Sequence, residues 1–153
     1  NITVIEINNF NYAMTGGQFS PTTPLSSITS TSRKGKAEYA MDTASLVAEA
    51  GANYVASTTV YHTSQLNNFI KEALLTRGFS FVEVMSSCPT YYGRYNHIGD
   101  GPEMMKWFKE KTLPRDKYEK LSLEEKQNYI ERGKLVQRNR EDFLTTYKKR
   151  RKK

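Results

Sequence analysis

Cysteine is nearly absent from this 153-residue chain, and so is histidine: there is one of the first and two of the second. A single thiol excludes an internal disulfide framework and suits a reducing compartment, so the expected location is cytoplasmic. His62 and His97 stand in neither a pair nor a triad spacing. His62 follows a predicted strand and could face substrate, but it reads better as a turn histidine. With no Ser/His/Asp set, no zinc-ligand spacing and no Walker sequence, hydrolase and nucleoside-triphosphatase readings have no support. Long apolar runs are missing too, and neither a membrane span nor a signal peptide is expected.

What remains is 37% hydrophobic and 12% aromatic, enough for one domain with a modest core. The formal charge of +7 is unevenly spread. Residues 1–105 hold 6 Lys/Arg against 8 Asp/Glu, and residues 106–153 hold 17 against 8, so the whole basic excess lies in the tail. Such a tail reads first as a solvated helix face; binding to nucleic acid is the competing reading and not the expected one.

Ile2 to Ile7 is rich in β-branched residues and predicts a buried, central strand. After a Ser/Thr-rich excursion from Leu25 to Lys36, Asp42 predicts the cap of a helix running to about Ala50. Asn53 to Thr59 predicts a second strand, and Ser64 caps a helix with an apolar stripe at Leu66, Phe69, Ile70, Ala73 and Leu74. Phe79 to Ser86 predicts a third strand. Strand–helix–strand order implies parallel pairing with right-handed crossovers, and ligands in such sheets gather at the carboxyl ends of strands. Those ends are Asn8-Asn9, Ser57-Thr58-Thr59 and Ser87-Cys88-Pro89-Thr90. Further on, Met104, Met105, Trp107 and Phe108 form a packing stripe, Ser122 predicts a capped helix to about Arg132, and 133–137 predicts a short strand or extended segment. Asp142 to Arg151 predicts a frayed basic helix or a subunit-contacting tail. The fold class is therefore α/β, with a sheet region at 1–100 and a helical, basic extension at 101–153.

The first strand ends in Asn-Asn and turns into a segment with two glycines, Asn8 to Pro24. Side-chain oxygens, free carbonyls and unpaired backbone N–H groups can meet there in one small volume, which suits a metal–phosphate pair, although Asn-rich turns also occur for purely structural reasons. Cys88, read without further context, is a buried free thiol at a strand end. Arg94 could hold a carboxylate bidentately or brace the cysteine turn, and the brace is the expected reading.

Asn8-Asn9, Tyr12, Met14-Thr15-Gly16-Gly17-Gln18 and Ser20-Pro21-Thr22-Thr23-Pro24 together resemble the thiamine-diphosphate loop of the β subunit of 2-oxoacid:ferredoxin oxidoreductases. One departure is Ala13, where that family usually has Gly. Ser87-Cys88-Pro89-Thr90, followed by Gly93-Arg94 and Asn96, resembles the family's Cys-Pro-Thr segment. The resemblance implies a parallel-sheet thiamine-diphosphate-binding fold, present in part, with the 2-oxoglutarate type as one candidate. It implies cofactor contacts at Asn9, Asn11, Tyr12, Met14, Thr15 and Gly16, with Mg²⁺ held by the Asn9 side chain and the Asn11 carbonyl. Cys88 would be a ligand of a [4Fe–4S] cluster, which takes three thiolates more than this chain has.

The implied reaction is oxidative decarboxylation of a 2-oxoacid to its acyl-coenzyme A, with coenzyme A as co-substrate and electrons passed to ferredoxin. The implied partners are an α subunit, with γ or δ subunits as further candidates, and the N-terminal half of the β subunit. In the family that half carries a Gly-Asp-Gly sequence with another Mg²⁺ ligand; Gly99-Asp100-Gly101 lies on the wrong side of the Asn pair and reads as a turn. A non-catalytic assembly half-domain is the alternative reading.

Overall fold

The computed structural model describes residues 1–152. β1 (Ile2–Asn8) runs into a long loop and then α1 (Thr43–Glu49), β2 (Tyr54–Thr59) into α2 (Thr63–Leu75), and α2 into β3 (Phe79–Met85). A π-type turn at Pro89–Gly93 leads to α3 (Gly101–Lys111). Then come β4 (Thr112–Pro114), the short helices α4 (Arg115–Tyr118) and α5 (Leu123–Lys126), β5 (Ile130–Gln137) and α6 (Phe143–Arg151). The five strands form one sheet in the order β1-β3-β2-β5-β4. Both β1 and β2 pair parallel with β3, so β3 is the strand on which the others register.

The two faces of β2 and β3 carry separate cores. Tyr54, Ala56, Val82 and Val84 pack against Phe69 and Ala73 of α2. On the opposite face, Val55 and Phe81 meet Ala44, Ala48 and Ala52 around α1. The period-two alternation of the strands makes this division. A third cluster, Phe10, Met85, Cys88, Tyr92, Met104 and Phe108, closes the carboxyl end of the sheet. Met104 and Phe108 are fully buried there, each worth about 1.5–3 kcal/mol of apolar burial.

Several sequence expectations change. β1 is not a buried central strand: it lies at the sheet edge, with Ile2 64% and Ile7 63% exposed. Among the described residues only β3 pairs with it, so its β-branched side chains keep the strand but lose the cover. Asp42 caps α1 as expected, accepting from the Ser45 amide at 2.8 Å. α2 instead begins at Thr63, with His62 at the cap position and no side-chain cap bond, so Ser64 falls inside its first turn.

The tail is not purely helical. Ser122 does form a reciprocal capping box with Glu125, but the helix ends at Lys126, and by Ile130 the chain is a strand. That strand, β5, adds antiparallel to β2, and Lys134 reaches the Glu72 carboxylate at 2.7 Å. The hydrogen bond from Lys134, aided by one from the Tyr54 hydroxyl, holds the Glu72 pKa below its ordinary value. Tertiary pairing has overridden the local helical signal of a short capped segment. Gly99-Asp100-Gly101 is a helix start, as turn chemistry would have it: the Asp100 amide donates to Glu103 Oε2 at 3.2 Å.

Candidate functional site

The carboxyl end of β1 turns sharply because Phe10 adopts a left-handed backbone, φ 64°. A bulky aromatic residue at positive φ costs on the order of 1–3 kcal/mol and persists only when its surroundings dictate it. Here the ring is 4% exposed and packs against Tyr92 at 5.1 Å, with Trp107 and Phe108 close by. The Asn8 side chain completes the turn. Its Oδ1 accepts from the Phe10 amide at 3.1 Å and from the Thr22 hydroxyl at 2.9 Å, and its Nδ2 donates to Glu83 at 2.9 Å. Thr23 seals the other side, donating to the Phe10 carbonyl at 2.6 Å.

Either side of Phe10, Asn9 and Asn11 face the same cleft. Asn9 Oδ1 has only a long contact from the Asn11 amide, 3.4 Å. The Asn11 side chain is turned inward, donating to the Asn9 carbonyl at 3.3 Å and accepting from Cys88 Sγ at 3.7 Å. Among the described residues no donor meets the Asn11 carbonyl, and no acceptor meets the amides of Ala13, Met14 and Thr15. The cleft, about 830 Å³, is lined by Asn9, Asn11, Tyr12, Met14 and Thr15 among others. Tyr12 and Met14 stand out from the loop, Met14 fully exposed at its tip. Gly16, at φ 102°, shapes the turn without lining the cleft.

This donor set fits a hard cation with an anionic group beside it. A side-chain carbonyl and a main-chain carbonyl offer the oxygen ligands that Mg²⁺ prefers, and unpaired amides are donors that a phosphate can take. Two protein oxygens do not complete an octahedron, so the residues fit part of such a site.

The loop is locked against the Cys88 turn. Gly17, at φ 78°, has no room for a side chain: a Cβ there would lie 2.8 Å from the Tyr91 ring. Gly17→Ala is therefore expected to destabilise the fold by about 1–3 kcal/mol, read as a lowered denaturation midpoint, whereas an unchanged midpoint would mean that this packing is not tight. The Ser/Thr-rich excursion is also more firmly held than a surface loop, since Asn96 bonds both the amide and the carbonyl of Ile28, at 2.8 and 3.0 Å. Lys36 is 4% exposed, its ammonium satisfied by the carbonyls of Glu38 and Tyr39. Arg94 lies over the rings of Tyr91 and Tyr95, which is the bracing position expected of it.

Cys88 is 7% exposed and sits beneath the metal-type turn, on the same sheet edge. No group of three or more His, Cys, Asp or Glu side chains suited to a metal occurs among the described residues. The chain thus fits one corner of a four-thiolate cluster and no more. His62 caps the turn after β2, with Nδ1 2.9 Å from the Thr59 hydroxyl, away from the Asn9 cleft. Burial, with the nearby Arg132 charge, lowers its pKa.

Sequence reasoning missed Glu83. It occupies an inward slot of β3 between Phe81 and Met85, and it accepts from Asn8 and from the Ser57 hydroxyl, both at 2.9 Å. Burial pushes its carboxyl up, against those hydrogen bonds, with Glu6 and Asp42 adding to the rise. The signal was present: a carboxylate in the middle of an apolar strand flanked on both sides is costly unless it is bonded.

Residues 1–84 match the family described as thiamine pyrophosphate enzyme, C-terminal TPP binding domain. The chain is 48% identical over 137 residues to the 2-oxoglutarate synthase subunit KorB of Methanothermobacter thermautotrophicus, a match covering 90% of this chain and 48% of that protein. It is 33% identical over 119 residues to the 2-oxoacid:ferredoxin oxidoreductase 2 subunit beta of Aeropyrum pernix, covering 78% and 36%. The chain therefore spans about half the length, or less, of the curated relatives it matches. Its fold superposes with a TM-score of 0.76 on a chain of the 2-oxoglutarate:ferredoxin oxidoreductase from Magnetococcus marinus, solved with 2-oxoglutarate, coenzyme A and succinyl-CoA bound. The overlap covers 99% of this chain and 52% of that one, and at 22% identity it shows the fold.

Proposed function

This chain belongs to the thiamine pyrophosphate enzymes, through their C-terminal cofactor-binding domain, and we propose that it is part of the β subunit of a 2-oxoacid:ferredoxin oxidoreductase. The observation that carries the reading is the Asn9–Phe10–Asn11 turn, with the weakly bonded Asn9 oxygen, the unpaired Asn11 carbonyl and the unpaired amides of Ala13 to Thr15 on residues that line one cleft. The Asn9 side chain and the Asn11 carbonyl would hold Mg²⁺, and the amides from Ala13 to Thr15 would take the diphosphate. Bound there, thiamine diphosphate would supply the nucleophile and the electron sink for loss of CO₂ from a 2-oxoacid. The part played by this chain is positional. Phe10 fixes the turn through the core, Gly17 lets the loop close on Tyr91, and Met14 and Tyr12 form the outer wall.

Cys88 would contribute one thiolate to a [4Fe–4S] cluster, the remaining thiolates and the further Mg²⁺ ligand coming from polypeptide outside these residues. The 48% identity to a 2-oxoglutarate synthase subunit favours 2-oxoglutarate as the substrate, with coenzyme A as acyl acceptor and ferredoxin as electron acceptor. The assembled complex is the object to test, with 2-oxoglutarate and pyruvate compared as substrates. Expected are Mg²⁺-dependent binding of thiamine diphosphate and ferredoxin reduction that needs both 2-oxoglutarate and coenzyme A. A complex that binds no thiamine diphosphate at millimolar Mg²⁺ would overturn the proposal.

A further inference from the structure

Three strands contribute side chains to one line across the sheet: Glu6 of β1 registers with Glu83 of β3, and Glu83 with Ser57 of β2. The Thr43 hydroxyl, at the start of α1, donates to Glu6 at 2.6 Å and lies 3.4 Å from Glu83. One residue pair beyond this line, Asn8 leaves the sheet and enters the cofactor-type turn. Its amide end has one partner, Glu83 Oε1, and its oxygen end holds the Phe10 amide and Thr22.

We infer that Glu83 is a positioning residue for the cofactor loop: by accepting from Asn8 Nδ2 it fixes which way round the Asn8 amide sits. That orientation turns Oδ1 toward the Phe10 amide and so sets the turn that presents Asn9 and Asn11. Were the Asn8 amide to flip, its NH₂ group would face the Phe10 N–H and its oxygen would face a carboxylate. Both contacts would be repulsive, so the carboxylate leaves one arrangement. Neither a buried glutamine nor an apolar residue at position 83 would enforce this with charge, which is a reason to keep a partly buried carboxylate that burial disfavours.

The inference rests on the proposed cofactor reading, and a reciprocal exchange of donor and acceptor separates the two. The assembled complex is titrated with Mg²⁺ and thiamine diphosphate, and the dissociation constant is read directly, independently of turnover. Asn8→Asp sets two carboxylates against each other and is expected to weaken binding by at least about tenfold. Glu83→Gln keeps an acceptor for Asn8 but can present either end of its amide, and is expected to weaken binding by about three- to fivefold, less than Asn8→Asp does. The double exchange, Asn8→Asp with Glu83→Gln, reverses the donor and acceptor while keeping the contact, and should recover most of the loss. A double exchange no better than Asn8→Asp alone would overturn the role of Glu83 while leaving the cofactor site standing. Absence of Mg²⁺-dependent binding in the wild-type complex would overturn both.

Discussion

Cys88→Ser in the assembled complex is expected to remove or destabilise one [4Fe–4S] centre, with lower iron content and loss of its low-temperature EPR signal on reduction. Ferredoxin reduction should fall by more than the ~10–100-fold that changes around a metal's ligands usually cost. Serine is a poor substitute because its alkoxide forms far less readily than a thiolate and is harder. The same substitution should barely disturb folding. Cys88 already directs its sulfur at Asn11 Oδ1, a contact that a hydroxyl can keep, and serine is the smaller side chain in a cluster that includes adaptable Met85 and Met104. Thiamine diphosphate binding should therefore largely survive. A variant with its full iron content would make Cys88 a packed thiol and take the cluster away from this chain.

Asn9→Ala should have the second largest effect, weakening Mg²⁺-dependent binding of thiamine diphosphate by about 30–150-fold, the equivalent of one lost bond to a charged group at about 2–3 kcal/mol. The Asn9 oxygen has one long bond inside the protein, from the Asn11 amide at 3.4 Å, so its removal should cost the fold little. Asn11→Ala is the informative contrast, because the proposed ligand at that position is the main-chain carbonyl. It removes the side-chain bond to the Asn9 carbonyl and the contact with Cys88, and should loosen binding by less than Asn9→Ala does. Calorimetric titration of both variants decides it, and equal losses would mean that Asn9 acts through the turn and not as a ligand.

Much of this was legible in the residues because the sheet follows local rules. β2 and β3 declared themselves by β-branched runs between glycines and caps, and parallel pairing puts the carboxyl ends of β1, β2 and β3 on one edge, as expected. What failed was decided by partners far along the chain. Ile2 to Ile7 has the composition of a covered strand, and composition cannot say whether a neighbour is at hand. Residues 133–137 read as a short strand or extended segment, but 130–132 read as the end of a helix, and pairing with an open flank of β2 made the whole of Ile130–Gln137 one strand. In the candidate site, the motif singled out Asn9 and Asn11, which line one cleft, whereas Glu83 was overlooked because its contact with Asn8 appears only when strand register sets the two together, 75 positions apart. The left-handed turn at Phe10 was likewise hidden, since nothing in an aromatic residue announces positive φ.

The place of β3 also orders events in time. Ile2 pairs with Phe79, so every residue of β1 waits for a partner made 77 positions later. At roughly 5–20 residues per second, synthesis leaves that strand without its β3 partner for about 4–15 seconds. β2, made in between, waits on the same strand. Emergence of β3 then lets both flanks zip at once, and with them come Glu83 against Asn8 and Met85 against Phe10. The loop after β1 is thus translated well before the strand that shapes it, and slow decoding before residue 79 would prolong the interval in which it lacks its β3 contacts.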